Sequence, residues 1–342
     1  MAHRMKAYEI GPQDGLSGLR LVDRVAAIRG PGEILVKPCL ACLNHRDLLI
    51  LKGQYGALRP EARIPLSDGV GEIMALGEGS TGLAIGDRII APHFATWLDG
   101  SFSPSVFGAD IGASADGWLA EQLALPASAA IKLPASISDR SAATLAAAGT
   151  TVWHALVSFG QIKPGDTVLT LGTGGVSIFA LQIAKALGAR VAITSSNDDK
   201  LASCRALGAD ITINYHAAPD WAGALIAQTD GKGADIIIET AGYENLGQSI
   251  AAAAVNGRIA LIGALAGQPS ASLPNFGGII GKNLVLKGIT SGSRAMLCDL
   301  VNLVATSGLE PVVDRVFPFD DAALAYAHLE GGGHLGKVMI SV

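Results

Sequence analysis

The sequence predicts an α/β protein, a doubly wound parallel sheet accompanied by a second, mainly β domain that the chain enters twice. Between DTVLTL at Asp166 and NLVLKGI ending at Ile289, short β-rich runs alternate with segments long enough for helices, the pattern of a parallel sheet. On either side, residues 1 to about 136 and 309 to 342 read as Gly- and Pro-rich stretches with short strands, so a split domain is the economical arrangement. Length agrees: 342 residues with 49% hydrophobic content are enough for two cores.

From the N-terminus, MAHRMKAYEI lacks the apolar run of a signal peptide, and no stretch approaches the roughly 20 apolar residues of a membrane span. A soluble cytoplasmic protein is expected. The net charge of −5, from 25 basic and 30 acidic residues, gives no electrostatic case for nucleic acid or an anionic membrane. Next, GEILVKPCLACL alternates apolar and polar residues from Glu33 to Lys37, a strand leading into CLACLNHRD. That stretch crowds Cys39, Cys42, His45 and Asp47 and raises the question of a metal. If the extended conformation continues, the two thiols point to opposite faces, and no second Cys-x-x-Cys exists to complete a four-ligand site. The cysteines at 39, 42, 204 and 298 therefore read as free thiols in a reducing compartment.

The strongest signal is DTVLTLGTGGVSIFALQIAKALGARVAITSS. Val168 to Leu171 is a short buried strand, Gly172 to Ser177 a tight turn, Ile178 to Leu187 an apolar helix and Arg190 to Thr194 the next strand. The turn follows Gly-x-Gly-x-x-Gly except that Ser177 replaces the last glycine, a mild change because serine is small. Gly172, Gly174, Gly175 and Val176 thus let backbone amides approach a pyrophosphate at the helix N-terminus. Strands at 211–214, 234–239, 257–263 and 283–289, with helices such as 198–207 and 245–254, complete the sheet. An NAD-selective site ends its second strand with a carboxylate; here that point is Ser195-Ser196, followed by Lys200, which suits the 2′-phosphate of NADP(H). Asp198 and Asp199 argue the other way unless they open the next helix.

Through SDGVGEI, GDRI, AGTTVWHAL, LGTGGVSIFALQIAKALGA, GRIALIG and HLGKV, in that order, the chain resembles a medium-chain dehydrogenase/reductase over essentially its whole length. It is most similar to the zinc-lacking quinone oxidoreductase-like and alcohol dehydrogenase-like branch. The resemblance implies a Rossmann domain at 137–308 and a GroES-like catalytic domain at 1–136, completed by a return segment at 309–342. It places the family's catalytic zinc ligands on Asn44, Ser67 and Ala147, none of which can replace them, and its cysteine-rich lobe between Pro92 and Gly117, where there is no cysteine. No zinc is expected, and Cys42 reads as a small buried hydrophobe.

For the cofactor the resemblance puts Thr151 against the nicotinamide and the backbone of Ile289 and Ser291 at its carboxamide, with Gly263 ending the neighbouring strand. His45 and Lys337 stand where zinc relatives carry arginines near the pyrophosphate, or are simply solvated. Lys200 and Tyr215 match residues around the 2′-phosphate of NADPH quinone reductases, Tyr215 being otherwise a strand-end packing residue. Near the lost metal site, Asn44 and Tyr55 can donate to a carbonyl oxygen, while Arg46 and Asp47 are either substrate groups or a structural ion pair.

The expectation is a zinc-independent, NADPH-dependent reductase passing hydride to a quinone, enone or activated carbonyl in the interdomain cleft. A zinc-free alcohol or aldehyde dehydrogenase is the same-fold alternative, and a weakly catalytic NADPH-binding structural or sensor protein the alternative of another class. The apolar strand 283–289 reads as a sheet edge, where the resemblance implies a homodimer through Leu284 and Leu286 with Lys287 at the rim.

Overall fold

The computed structural model describes residues 3–56, 61–263 and 275–342. It divides into two compact units, Met1–Thr150 with Gly292–Val342, and Thr151–Ser291. Against the expected boundaries at 136/137 and 308/309, residues 137–150 and 292–308 pack with the first unit, where the helix Arg294–Ser307 meets the turn Leu145–Gly149.

The Thr151–Ser291 unit is built on six parallel strands. Numbered along the chain, their spatial order is 3-2-1-4-5-6, the doubly wound arrangement. Its first strand, Thr167–Leu171, is buried at every position, because a central parallel strand is covered on both faces. The last strand, Val285–Gly288, pairs on one side with Ala253–Leu261 and lies at the sheet edge. Asn197 and Asp220 cap the helices Asp198–Ala206 and Trp221–Gln228 with their side chains, whereas Gly174, which opens the helix Gly175–Ala186, has no side chain with which to do so.

In the other unit, seven strands form a mostly antiparallel sheet beside the hairpin Arg4–Ile10/Leu19–Val25. The alternation seen at 33–37 continues, so the strand runs Glu33–Leu43, with register shifts around Pro38, which has no N–H to give the ladder. The return segment adds to one side of this sheet: Val313–Pro318 forms its edge, and Lys337–Ser341 lies between that edge and Glu33–Leu43, antiparallel to the latter and pairing Val338 with Leu43 and Met339 with Cys42. Trp118, Tyr326, Ile34 and Ile340 are fully buried in the core beneath it.

Candidate active site

At Leu43 the strand gives way to the helix His45–Leu51, and Asn44 sits at the junction. Asp47 closes the first turn by accepting the Asn44 backbone N–H at 2.7 Å, and Ser67 Oγ stands 3.5 Å from its other oxygen. Asp68, fully buried, gathers the rest: Oδ1 accepts the Ala147 N–H at 2.6 Å and Oδ2 accepts Asn44 Nδ2 at 2.9 Å. The three positions aligned with zinc ligands, 44, 67 and 147, therefore do converge. Lys337, only 3% exposed, brings the positive charge. Its Nζ donates to Leu43 O at 2.8 Å and to Asn44 Oδ1 at 2.5 Å, and lies 3.6 Å from Asp68 Oδ2. Far from being solvated, this ammonium is committed to the Asn44 corner.

Arg46 and Asp47 do not form the ion pair with each other that adjacency suggested. The Arg46 guanidinium turns to Asp110 Oδ2 at 2.5 Å and to His93 Nδ1 at 2.9 Å, and its carbon lies 4.8 Å from the centre of the Tyr55 ring. Burial raises the Asp110 pKa, yet Arg46 and His93 outweigh that and hold the carboxyl below its ordinary range. Burial, reinforced by Arg46, lowers the His93 pKa against the pull of Asp110. Asp47 behaves oppositely: burial pushes it up to about 7 against the pull of Arg46 and the Asn44 N–H. Cys42, buried and directed at Val338 O at 3.3 Å, is pushed up to about 12 by burial and is an inert thiol. His45 is exposed on the first turn of its helix.

Zinc requires thiolate, imidazole or carboxylate donors. An amide, a hydroxyl and a methyl group stand where the ligands would be, both Asp68 oxygens are engaged, and a lysine ammonium lies among them. Among the described residues no group of three or more His, Cys, Asp or Glu side chains could hold a metal ion. This donor set does not fit zinc.

The dinucleotide features lie in the other unit and do fit their ligand. Gly172 has φ 75°, and a Cβ at either Gly172 or Gly174 would meet no atom within 4 Å, so the turn is bordered by open space at both glycines. Ser177 Oγ donates to Leu171 O at 2.6 Å, the specific reason a serine serves in place of the third glycine. At the end of the second strand Ser195 is buried, Ser196 is exposed, and Tyr215 N–H donates to Ser195 O at 3.1 Å, bringing the two predicted phosphate-site residues together. Asp198 accepts from Asn214 Nδ2 at 2.9 Å as it opens its helix, and Lys200 stands in the same first turn. Farther along, Thr151 is buried, Ile289 N–H donates to Leu261 O at 2.9 Å, and Gly263 passes so close to Thr240 that a Cβ there would lie 1.9 Å from its carbonyl oxygen.

Sequence reasoning missed Asp68 as the hub and the His93–Asp110 pair, whose Nδ1 and Oδ1 lie 3.0 Å apart. An acidic residue inside an apolar strand, as in LSDGVGEI, was the one signal available for Asp68.

Residues 30–135 match the family model of the alcohol dehydrogenase GroES-like domain, and residues 175–306 that of the zinc-binding dehydrogenases. The chain is 41% identical to a zinc-type alcohol dehydrogenase-like protein of Schizosaccharomyces pombe, over 91% of each sequence. With an acryloyl-coenzyme A reductase of Metallosphaera sedula it shares 30% identity over 91% of this chain and 92% of that one. Among solved structures, an NAD-dependent alcohol dehydrogenase superposes with a TM-score of 0.90 at 32% identity, covering 99% of this chain and 100% of the other. A mycobacterial protein solved with NADPH superposes at 0.82 and 27%, again covering 99% and 100%.

Proposed function

Since the chain belongs to the medium-chain dehydrogenase/reductase superfamily and is an oxidoreductase of its alcohol dehydrogenase-like kind, we propose that it is a zinc-independent reductase that transfers hydride from NADPH to an enone, quinone or activated carbonyl. The observation that carries this reading is the Lys337–Asn44–Asp68 cluster at the converging ligand positions. NADPH supplies the hydride. Asn44 supplies what a Lewis acid otherwise would: one N–H of its amide is held by Asp68, and the other is a donor for the oxygen on which charge develops. Lys337 strengthens that donor, because an ammonium bonded to the amide oxygen polarises the whole amide. Conjugate addition to an enone or quinone suits this site, since an enolate can take its proton from water afterwards, whereas deprotonating a saturated alcohol is the step zinc makes easy. The similarity to an acryloyl-coenzyme A reductase supports an unsaturated acceptor.

For cofactor choice, Ser195, Lys200 and Tyr215 favour a 2′-phosphate, and the Asp198–Asn214 bond ties the Asp198 carboxylate to the start of its helix. A cytoplasmic homodimer joined through the Val285–Gly288 edge completes the proposal.

The test is steady-state oxidation of NADPH and NADH by purified protein with a panel of quinones, enones and aldehydes, with and without a chelator, alongside metal analysis. NADPH-dependent reduction untouched by the chelator is the expected result. Activity that a chelator abolishes and zinc restores would sink the metal-free mechanism.

A further inference from the structure

Ser291 follows the edge strand of the Thr151–Ser291 unit and adopts φ 50°, the left-handed region that residues with side chains seldom occupy. It is only 8% exposed, and its Oγ has no hydrogen-bond partner among the described residues. Such strain and such an unsatisfied hydroxyl persist where surrounding structure enforces them and a ligand uses them. The enforcing contact comes from His154, whose Nδ1 lies 2.6 Å from Ser291 O. His154 opens the π-helical turn His154–Phe159, an irregularity that is frequent at functional sites.

The imidazole is held in one tautomer from both ends. A carbonyl oxygen can only accept, so Nδ1 carries the proton; Nε2, 3.4 Å from Lys287 Nζ, then accepts from the ammonium. Burial favours the same neutral form, the Lys287 charge reinforces it, and the Ser291 carbonyl opposes both without prevailing.

We propose that His154 is a positioning residue for the nicotinamide end of the cofactor: by clamping the Ser291 carbonyl it presents the Ser291 N–H and hydroxyl to the carboxamide. The inference rests on the dinucleotide reading above and adds to it two side chains, His154 and Ser291 Oγ. A carboxamide offers one acceptor and two donors, which an N–H and a hydroxyl can match.

The experiment compares ligands that differ only in the nicotinamide. Wild-type protein, His154→Leu, His154→Gln and Ser291→Ala are titrated with NADPH and with 2′-phospho-ADP-ribose, and with NADH and ADP-ribose. His154→Leu and Ser291→Ala should each weaken the intact dinucleotide about tenfold, the loss of one good hydrogen bond, while the ribose fragments keep their wild-type Kd. His154→Gln, whose amide can still donate, should recover part of the loss. Equal weakening of dinucleotide and fragment, as from a general structural defect, or no weakening of either, overturns the proposal. Wild-type protein that binds no dinucleotide at all would remove the cofactor reading itself, and this inference with it.

Discussion

Lys337 is a charged side chain that the fold cannot leave unpaired. Removing the ammonium strands Asp68 in a buried site, so Lys337→Met should cost about 3 kcal/mol of stability, and adding Asp68→Asn should return most of it. The functional consequence is separable: in the stabilised double variant kcat should stay about a hundredfold low while the Kd for NADPH is unchanged. A large rise in that Kd would instead make Lys337 a pyrophosphate contact. Asp47 gives a pH signature. Its pKa rises from an ordinary 3.8 in the unfolded chain to about 7 in the fold, so between those values the folded state holds a proton the unfolded state has lost. Stability from this group therefore falls as pH climbs through that window and is lowest above 7. Asp47→Asn keeps an acceptor for the Asn44 N–H and should raise stability on the order of a few kcal/mol at pH 8, with little change near pH 4. Urea unfolding at the two pH values checks it. Asn44, Asp47 and Lys337 could be picked out singly in the sequence, but not the Lys337–Asn44 pairing, since the two lie 293 positions apart and only the sheet register brings them together.

Elements defined by periodicity and turn chemistry were far easier to read. The run from Thr167 to Ser195 could be assigned because a buried strand, a glycine turn and an apolar helix each carry a local signature. Segment 92–117 could not, because aromatic contacts hold it together where spaced cysteines would have announced a lobe. Phe94 meets Phe107 edge-on at 5.3 Å, Trp97 meets Phe102 at 5.5 Å, and the loop then delivers Asp110 to Arg46. Phe94→Ala should destabilise the protein by about 3 kcal/mol, measured by thermal unfolding, and should lower activity through Arg46. At the end of the second nucleotide-unit strand, Ser195→Asp places a carboxylate beside the site proposed for the 2′-phosphate. NADPH should weaken at least tenfold in fluorescence titration, with NADH much less affected; wild-type protein that binds NADH as tightly as NADPH would refute the phosphate-site argument.

For the whole molecule, the strand Val285–Gly288 has no strand paired on one of its backbone edges among the described residues, with Val285 half exposed and Phe276 and Ile280 exposed on the preceding helix. An unprotected apolar edge recruits other strands unless it meets its own copy. Light scattering at micromolar concentration should give a dimer, and Val285→Pro should dissociate it; a persistent monomer, or a dimer indifferent to that change, excludes edge pairing. The two-unit organisation was legible because nucleotide-unit strands read as continuous apolar runs while the flanking segments do not, although the transitions at Thr150 and Ser291 fall within apolar helix and loop sequence that carries no composition break.

The pairing of Lys337–Ser341 with the strand Glu33–Leu43 also sets an order of events during synthesis. A chain leaving the ribosome from its N-terminus presents the Glu33–Leu43 strand early, but one of that strand's neighbours is translated only after the six described strands of the Thr151–Ser291 unit. The nucleotide unit can therefore close on itself while its companion waits with Leu40 to Leu43 lacking a partner on that side and the Asn44 corner lacking its cation. Any molecular chaperone that attends this protein at birth has its longest task there, shielding an open sheet until the strand carrying Lys337 arrives.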